Sequence, residues 1–115
     1  FCPMLDARRM EVYCSVFDRS LREMQKTSAE IIDENSFSDL LSNQVIYFFG
    51  EGSVKCKKTL SQNRNARFIE NIFPSAKHLV SFSEEAFLEN KFEDLAYFEP
   101  YYLKDFVGVK IREKT

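Results

Sequence analysis

The chain has 115 residues, 44% hydrophobic and 30% charged, with 16 Lys and Arg against 18 Asp and Glu for a net charge of −2. This length suits one domain with a real core, and the near-neutral balance argues against strong nonspecific nucleic-acid binding, which needs clustered positive charge. Three cysteines at 2, 14 and 56 with a single His78 fit neither a disulfide framework nor a zinc site, and no run reaches the ~20 apolar residues of a membrane span, so a reducing cytoplasm is the expected compartment.

The first residue is Phe rather than Met, and Phe1 to Leu5 reads as a strand already under way, so the chain is expected to belong to a longer polypeptide. A tight turn at Asp6-Ala7-Arg8 leads into a second strand, Arg9 to Phe17. There Met10, Val12, Cys14 and Val16 share one face and Glu11, Tyr13 and Ser15 the other. Asp18-Arg19-Ser20 supplies turn chemistry, and Met24 to Asp33 returns as a third strand, completing an antiparallel meander.

The period then changes. Ser36 followed by Asp39 resembles a capping box, and Phe37, Leu40 and Leu41 fall at helical spacing, predicting a helix from Ser36 to Ser42. The unbroken apolar run Val45 to Phe49, stopped by Gly50, predicts a central strand covered on both faces. Gly50-Glu51-Gly52 turns the chain into a second helix with Ser53 as N-cap, ending near Leu60. After a polar loop at Ser61 to Asn65 comes a short last strand, Ala66 to Glu70. Ala76, Leu79, Val80, Ser83, Ala86 and Phe87 then share one face of a helix from Ser75 to Asn90. Lys91 to Tyr97 is irregular, 1–108 forms one domain and 109–115 a tail. The twelve Phe and five Tyr are expected chiefly in the core.

Three antiparallel strands followed by helix, strand, helix, strand and helix is the element order of a ribonuclease H-like α/β fold, the half-unit of actin-like ATPases. A meander continuing into a mixed sheet with flanking helices is therefore expected.

Within such a fold Asp6, ending the first strand, is the position from which a carboxylate could serve Mg²⁺ or approach phosphate. Phosphate cradling needs glycines that let amides approach closely, whereas Ala7, Arg8 and Arg9 fill this turn. A structural or partner-facing hairpin is expected instead, with Asp6 accepting backbone hydrogen bonds and Arg8 or Arg9 pairing with a carboxylate. Gly50, Gly52 and Ser53 form a strand-to-helix turn able to bind an anion, although the full phosphate-loop pattern is missing. A nuclease would need Asp6, Glu11 and a third carboxylate at one sheet end. Cys14, Cys56 and His78 suggest a thiol and base, but a cysteine on the apolar face of a strand is ordinarily inert. Lys55, Lys57 and Lys58 make a basic patch. Tyr97 to Leu103 packs aromatics around an extended turn that is expected to fold back on the domain or meet a partner.

The runs Asp6-Ala7-Arg8-Arg9-Met10-Glu11-Val12-Tyr13, Gly50-Glu51-Gly52, Pro74-Ser75-Ala76 and Glu99-Pro100-Tyr101-Tyr102-Leu103-Lys104 occur in an order and spacing that resembles the TsaB (YeaZ) family. The resemblance spans nearly all of this chain and the C-terminal half of such proteins. The first and last runs are specific as a pair, and the other two are weak alone. It implies a catalytically silent, actin-like subunit without a cofactor or metal, able to form a homodimer. Such a subunit supports a TsaD-like paralogue that transfers the threonylcarbamoyl group to the tRNA adenosine next to the anticodon, together with a TsaE-like ATPase. tRNA is then met only indirectly. Asp6, Arg8, Arg9, Glu11, Tyr13, Glu99, Pro100 and Leu103 become candidate interaction residues. The alternative is a nucleotide-binding or hydrolytic enzyme of the same superfamily, including proteins named glycoprotease-like.

Overall fold

The computed structural model describes residues 1–105; the expected tail at 109–115 lies outside them. Five strands, β1 (Cys2–Asp6), β2 (Glu11–Phe17), β3 (Glu23–Ile31), β4 (Ile46–Phe49) and β5 (Ala66–Ile69), form one sheet in the order β3-β2-β1-β4-β5. β1, β2 and β3 pair antiparallel, while β1 with β4 and β4 with β5 pair parallel. Helices α1 (Ser38–Asn43) and α2 (Glu51–Leu60) lie within the sheet-forming part, and a 3-10 turn (Ala76–Leu79) runs into α3 (Val80–Leu88) after it. The described residues form a small α/β domain on a five-stranded mixed sheet.

Alternation fixes which face is buried. Met4 stands opposite Cys14 and Cys2 beside Phe48, so Cys2, Met4, Val12, Cys14, Ile46 and Phe48 line one face, closed by Leu41 from α1 and by Cys56 and Leu60 from α2. Phe48 is fully buried, with ring centroids 5.4 Å from Phe37 and 5.5 Å from Phe68. Burial of one such side chain stabilises by roughly 1.5–3 kcal/mol. An irregularity in the β2–β3 register after Cys14 turns Ser15 inward. Its hydroxyl donates to the Gln25 carbonyl at 2.7 Å and to the Glu23 carboxylate at 3.2 Å.

Several expectations need correction. Ser36 does not cap α1. Its hydroxyl accepts from the Asp33 amide at 2.9 Å, and the N-cap is Phe37 in the left-handed region at φ 60°. The N-cap of α2 is Gly50, three residues before Ser53, whose hydroxyl donates to the Gly50 carbonyl at 2.7 Å inside the first turn. Met10 belongs to the turn before β2, although it still packs on the core.

Among the described residues, β4 is covered on one face only. Tyr47 is 43% exposed, because the helices that close the sheet lie on the Phe48 side. The helix expected from Ser75 to Asn90 is shorter, starts as a 3-10 turn and contributes no buried residue. Of the aromatic residues expected in the core, Phe48 alone is fully buried among those described, while Phe73, Phe82, Phe87, Phe92 and Phe98 are exposed.

Candidate functional site

The hairpin after β1 is held in an unusual shape. Arg8 and Arg9 lie in the left-handed region at φ 73° and 48°, which costs a residue with a Cβ roughly 1–2 kcal/mol each. Hydrogen bonds hold them there: the Ala7 amide donates to the Glu11 carbonyl and the Glu11 amide to the Arg8 carbonyl, each at 3.0 Å. Asp6 Oδ1 accepts the Arg8 amide at 2.7 Å, the backbone role expected of it.

From α2, Lys55 reaches over β1 and donates Nζ to Asp6 Oδ1 and to the Glu11 carbonyl, both at 2.7 Å. The Lys55 ammonium first, and the Arg8 amide second, hold the Asp6 carboxyl below its usual range. A cation at Asp6 would have to share the carboxylate with Lys55, which already holds Oδ1.

The last described residues return to this hairpin. Lys104 donates to the Glu11 carboxylate and sits 5.8 Å from the centroid of the Tyr13 ring. Glu11 in turn raises the Lys104 ammonium above its usual value. A cleft of about 820 Å³ opens between the two segments, lined by Asp6, Ala7, Arg8, Tyr13, Tyr102, Lys104 and Asp105. It offers two carboxylates, two cations and two phenol rings, a mixture suited to a charged peptide or to a flat ring bearing an anion.

Among the described residues the expected Arg8 or Arg9 ion pair does not form; the cations that neutralise this hairpin are Lys55 and Lys104. Glu99 and Pro100 are exposed and away from the cleft lining, Leu103 is half-buried, and Tyr97, Tyr101 and Tyr102 remain largely in solvent. The closing run therefore folds back through Lys104 more than through its aromatics. The sequence set Lys55 in a basic patch and Tyr102 in the closing run, but linked neither to the Asp6 hairpin. Lys104 stood at the end of the quoted closing run, but nothing local marked Glu11 as its partner.

The glycine turn has a different explanation from anion binding. A Cβ on Gly50, at φ 91°, would come 2.5 Å from the Met4 carbonyl oxygen, and one on Gly52 would come 2.8 Å from the Leu5 carbonyl group. Both glycines let the start of α2 press against the backbone of β1. The Ser53 hydroxyl is buried and already bonded to Gly50, Glu51 adds negative charge in the first turn, and Lys57 is paired with Glu70.

The cysteines converge in the core and all three are buried free thiols. A hydrogen bond with Cys14, together with burial, pushes the Cys2 thiol well above its usual range, and burial pushes Cys56 up. His78 lies exposed in the 3-10 turn, outside this cluster. Among the described residues no group of three or more His, Cys, Asp or Glu is placed to hold a metal ion, and no helix is long and apolar enough to cross a membrane. Of the basic patch, Lys55 and Lys57 are engaged in ion pairs with Asp6 and Glu70.

No protein-family model matches the chain, and no curated protein matches it in sequence.

Proposed function

We propose that the chain is the C-terminal, ribonuclease H-like domain of a TsaB-like scaffold subunit, which supports threonylcarbamoyl transfer to tRNA by a TsaD-like paralogue and catalyses nothing itself. The observation that carries the reading is the meeting of its two most specific runs. Glu11 and Tyr13 of the first run receive Lys104 of the last, so residues 93 apart in sequence form one surface. Support also comes from the strand order β3-β2-β1-β4-β5 and from Asp6, whose carboxylate is occupied by Lys55 and an amide rather than facing an open phosphate cradle. A TsaE-like ATPase and tRNA would meet this domain within the assembly, in the cytoplasm.

The test is an assay of threonylcarbamoyl transfer to tRNA using the polypeptide that carries this domain, with and without the TsaD-like paralogue. Transfer is expected only when the paralogue is present. Transfer by the polypeptide alone would overturn the proposal.

A second reading, a nucleotide-binding or hydrolytic enzyme, draws on the cleft of about 820 Å³ beside Asp6, where Tyr13 and Tyr102 could flank a base. Calorimetry with Mg²⁺-ATP separates the two readings. Heat that disappears in Asp6→Ala would favour the enzyme, and no heat from the intact protein would end that reading.

A further inference from the structure

Glu11 and Tyr13 are two residues apart on β2, so they stand side by side on the face turned away from buried Val12 and Cys14. A carboxylate beside a phenol ring is a seat for a cation, because the ion pair and the ring quadrupole attract the same charge. This seat is held in shape by its backbone. The Glu11 amide donates to the Arg8 carbonyl, and the Glu11 carbonyl accepts from the Ala7 amide and the Lys55 ammonium. Only 24% of the Glu11 side chain is exposed, so its carboxylate has little freedom to lose on meeting a ligand.

Within the chain the occupant is Lys104, paired with Glu11 and 5.8 Å from the centroid of the Tyr13 ring. Its hold is exchangeable. Lys104 is itself exposed, Tyr101 and Tyr102 beside it are 81% and 74% exposed, and among the described residues this is the one ion pair that ties the closing run to the sheet. Exposed pairs contribute little net stability, because water screens them and two long side chains must be held still. Arg8, in the lining of the same cleft, opposes the Lys104 charge.

The surroundings select the sign of a replacement. From Glu84 to Asp105 there are seven carboxylates and two lysines, and both lysines are already paired, Lys91 with Glu89 and Lys104 with Glu11. Such a stretch repels a phosphate backbone and draws in a basic protein segment.

We propose that Glu11 and Tyr13 form a docking seat for an arginine or lysine side chain of a protein partner, and that Lys104 fills this seat in cis until the partner's cation replaces it. Arginine suits the seat better, because its planar guanidinium can donate two N–H groups to the carboxylate and lie against the ring at once. The closing run then acts as a tethered competitor. A seat covered about nine-tenths of the time binds its partner about tenfold more weakly than an open one. The inference rests on the scaffold reading only in taking this face as a partner surface.

The test is fluorescence anisotropy of dye-labelled tetra-arginine titrated with the full chain at ~150 mM salt, where long-range attraction is screened, with circular dichroism as the folding control. Lys104→Ser should bind the peptide about tenfold more tightly than the intact chain. Lys91→Ser removes the same charge from the pair with Glu89 and should leave the affinity unchanged. Glu11→Gln added to Lys104→Ser should abolish the gain, and Tyr13→Leu takes its place if Glu11→Gln loses its dichroism signal. No binding by Lys104→Ser, an equal gain in Lys91→Ser, or a gain that survives Glu11→Gln or Tyr13→Leu would each overturn the proposal; the last two would assign the peptide to the acidic surface at large. The titration contains no tRNA, paralogue or transfer reaction, so its failure leaves the scaffold reading standing, and a failed transfer test leaves the seat standing.

Discussion

Lys55 places one ammonium between Asp6 and the hairpin that follows it, 2.7 Å from the carboxylate and 2.7 Å from the Glu11 carbonyl. Asp6 ionises more readily in the folded chain than at its ordinary value of 3.8. It therefore contributes stability that is present above that value and is lost as pH falls through the depressed one. Melting temperature should drop as pH is lowered from about 4 toward 2. Lys55→Met should melt lower at pH 7 and lose less on acidification. Parallel acid profiles for the two proteins would show that Lys55 does not set the Asp6 ionisation.

Gly50 and Gly52 should tolerate alanine differently. Gly52→Ala sits at an ordinary helical position and meets only the close approach to Leu5, an overpacking cost of about 1–3 kcal/mol. Gly50→Ala adds a left-handed backbone to a closer clash with Met4, so its cost should exceed about 3 kcal/mol. Urea titrations of both variants give the ranking, and equal midpoints would contradict it.

Much of this architecture was legible because it is written in local periods. The alternation of Val12, Cys14 and Val16 marked a strand with one buried face, and the stop at Gly50 marked the end of β4. What was not legible depended on partners distant in sequence. The run Val45 to Phe49 shows that a strand is apolar, and says nothing about whether a helix lies over Tyr47 as well as over Phe48. The stripe on α3 revealed a helix but not its absence from the core. Ser53 has the chemistry of an N-cap, yet the packing of Gly50 and Gly52 against β1 moved the helix start three residues earlier. At the candidate site, the hydrogen bond from the Arg8 amide to Asp6 follows from short-range turn chemistry. Lys55 and Lys104 come from 49 and 93 residues away, and no spacing rule reaches them.

The thiols offer a direct check on burial. In the native protein at pH 8, Ellman's reagent should label none of Cys2, Cys14 and Cys56 within minutes, and all three should react at once in denaturant. A fast-reacting native thiol would reopen the nucleophile reading.

The pair between Lys104 and Glu11 should act as a clasp on the last described residues. Lys104→Glu should raise hydrogen exchange at 101–105 and around Tyr13 while leaving β4 and β5 unchanged, and the double exchange Glu11→Lys with Lys104→Glu should recover part of the protection. The raised Lys104 value means that its contribution is complete below about 10.5 and fades as pH rises through the higher folded value. The clasp should therefore be indifferent to pH between about 6 and 9. Loss of protection within that window would assign it to another group.

Ser15 carries a last consequence for how the meander is aligned. β3 is mostly exposed, so its side chains give only weak instruction about which residue should stand opposite which on β2. The inward turn after Cys14 works against a one-residue slip, which would take the Gln25 carbonyl away from the Ser15 hydroxyl. The serine works as an index mark on a sliding scale: sliding β3 by a single position would strand a buried hydroxyl and, at the same stroke, turn every residue of β3 to the opposite side.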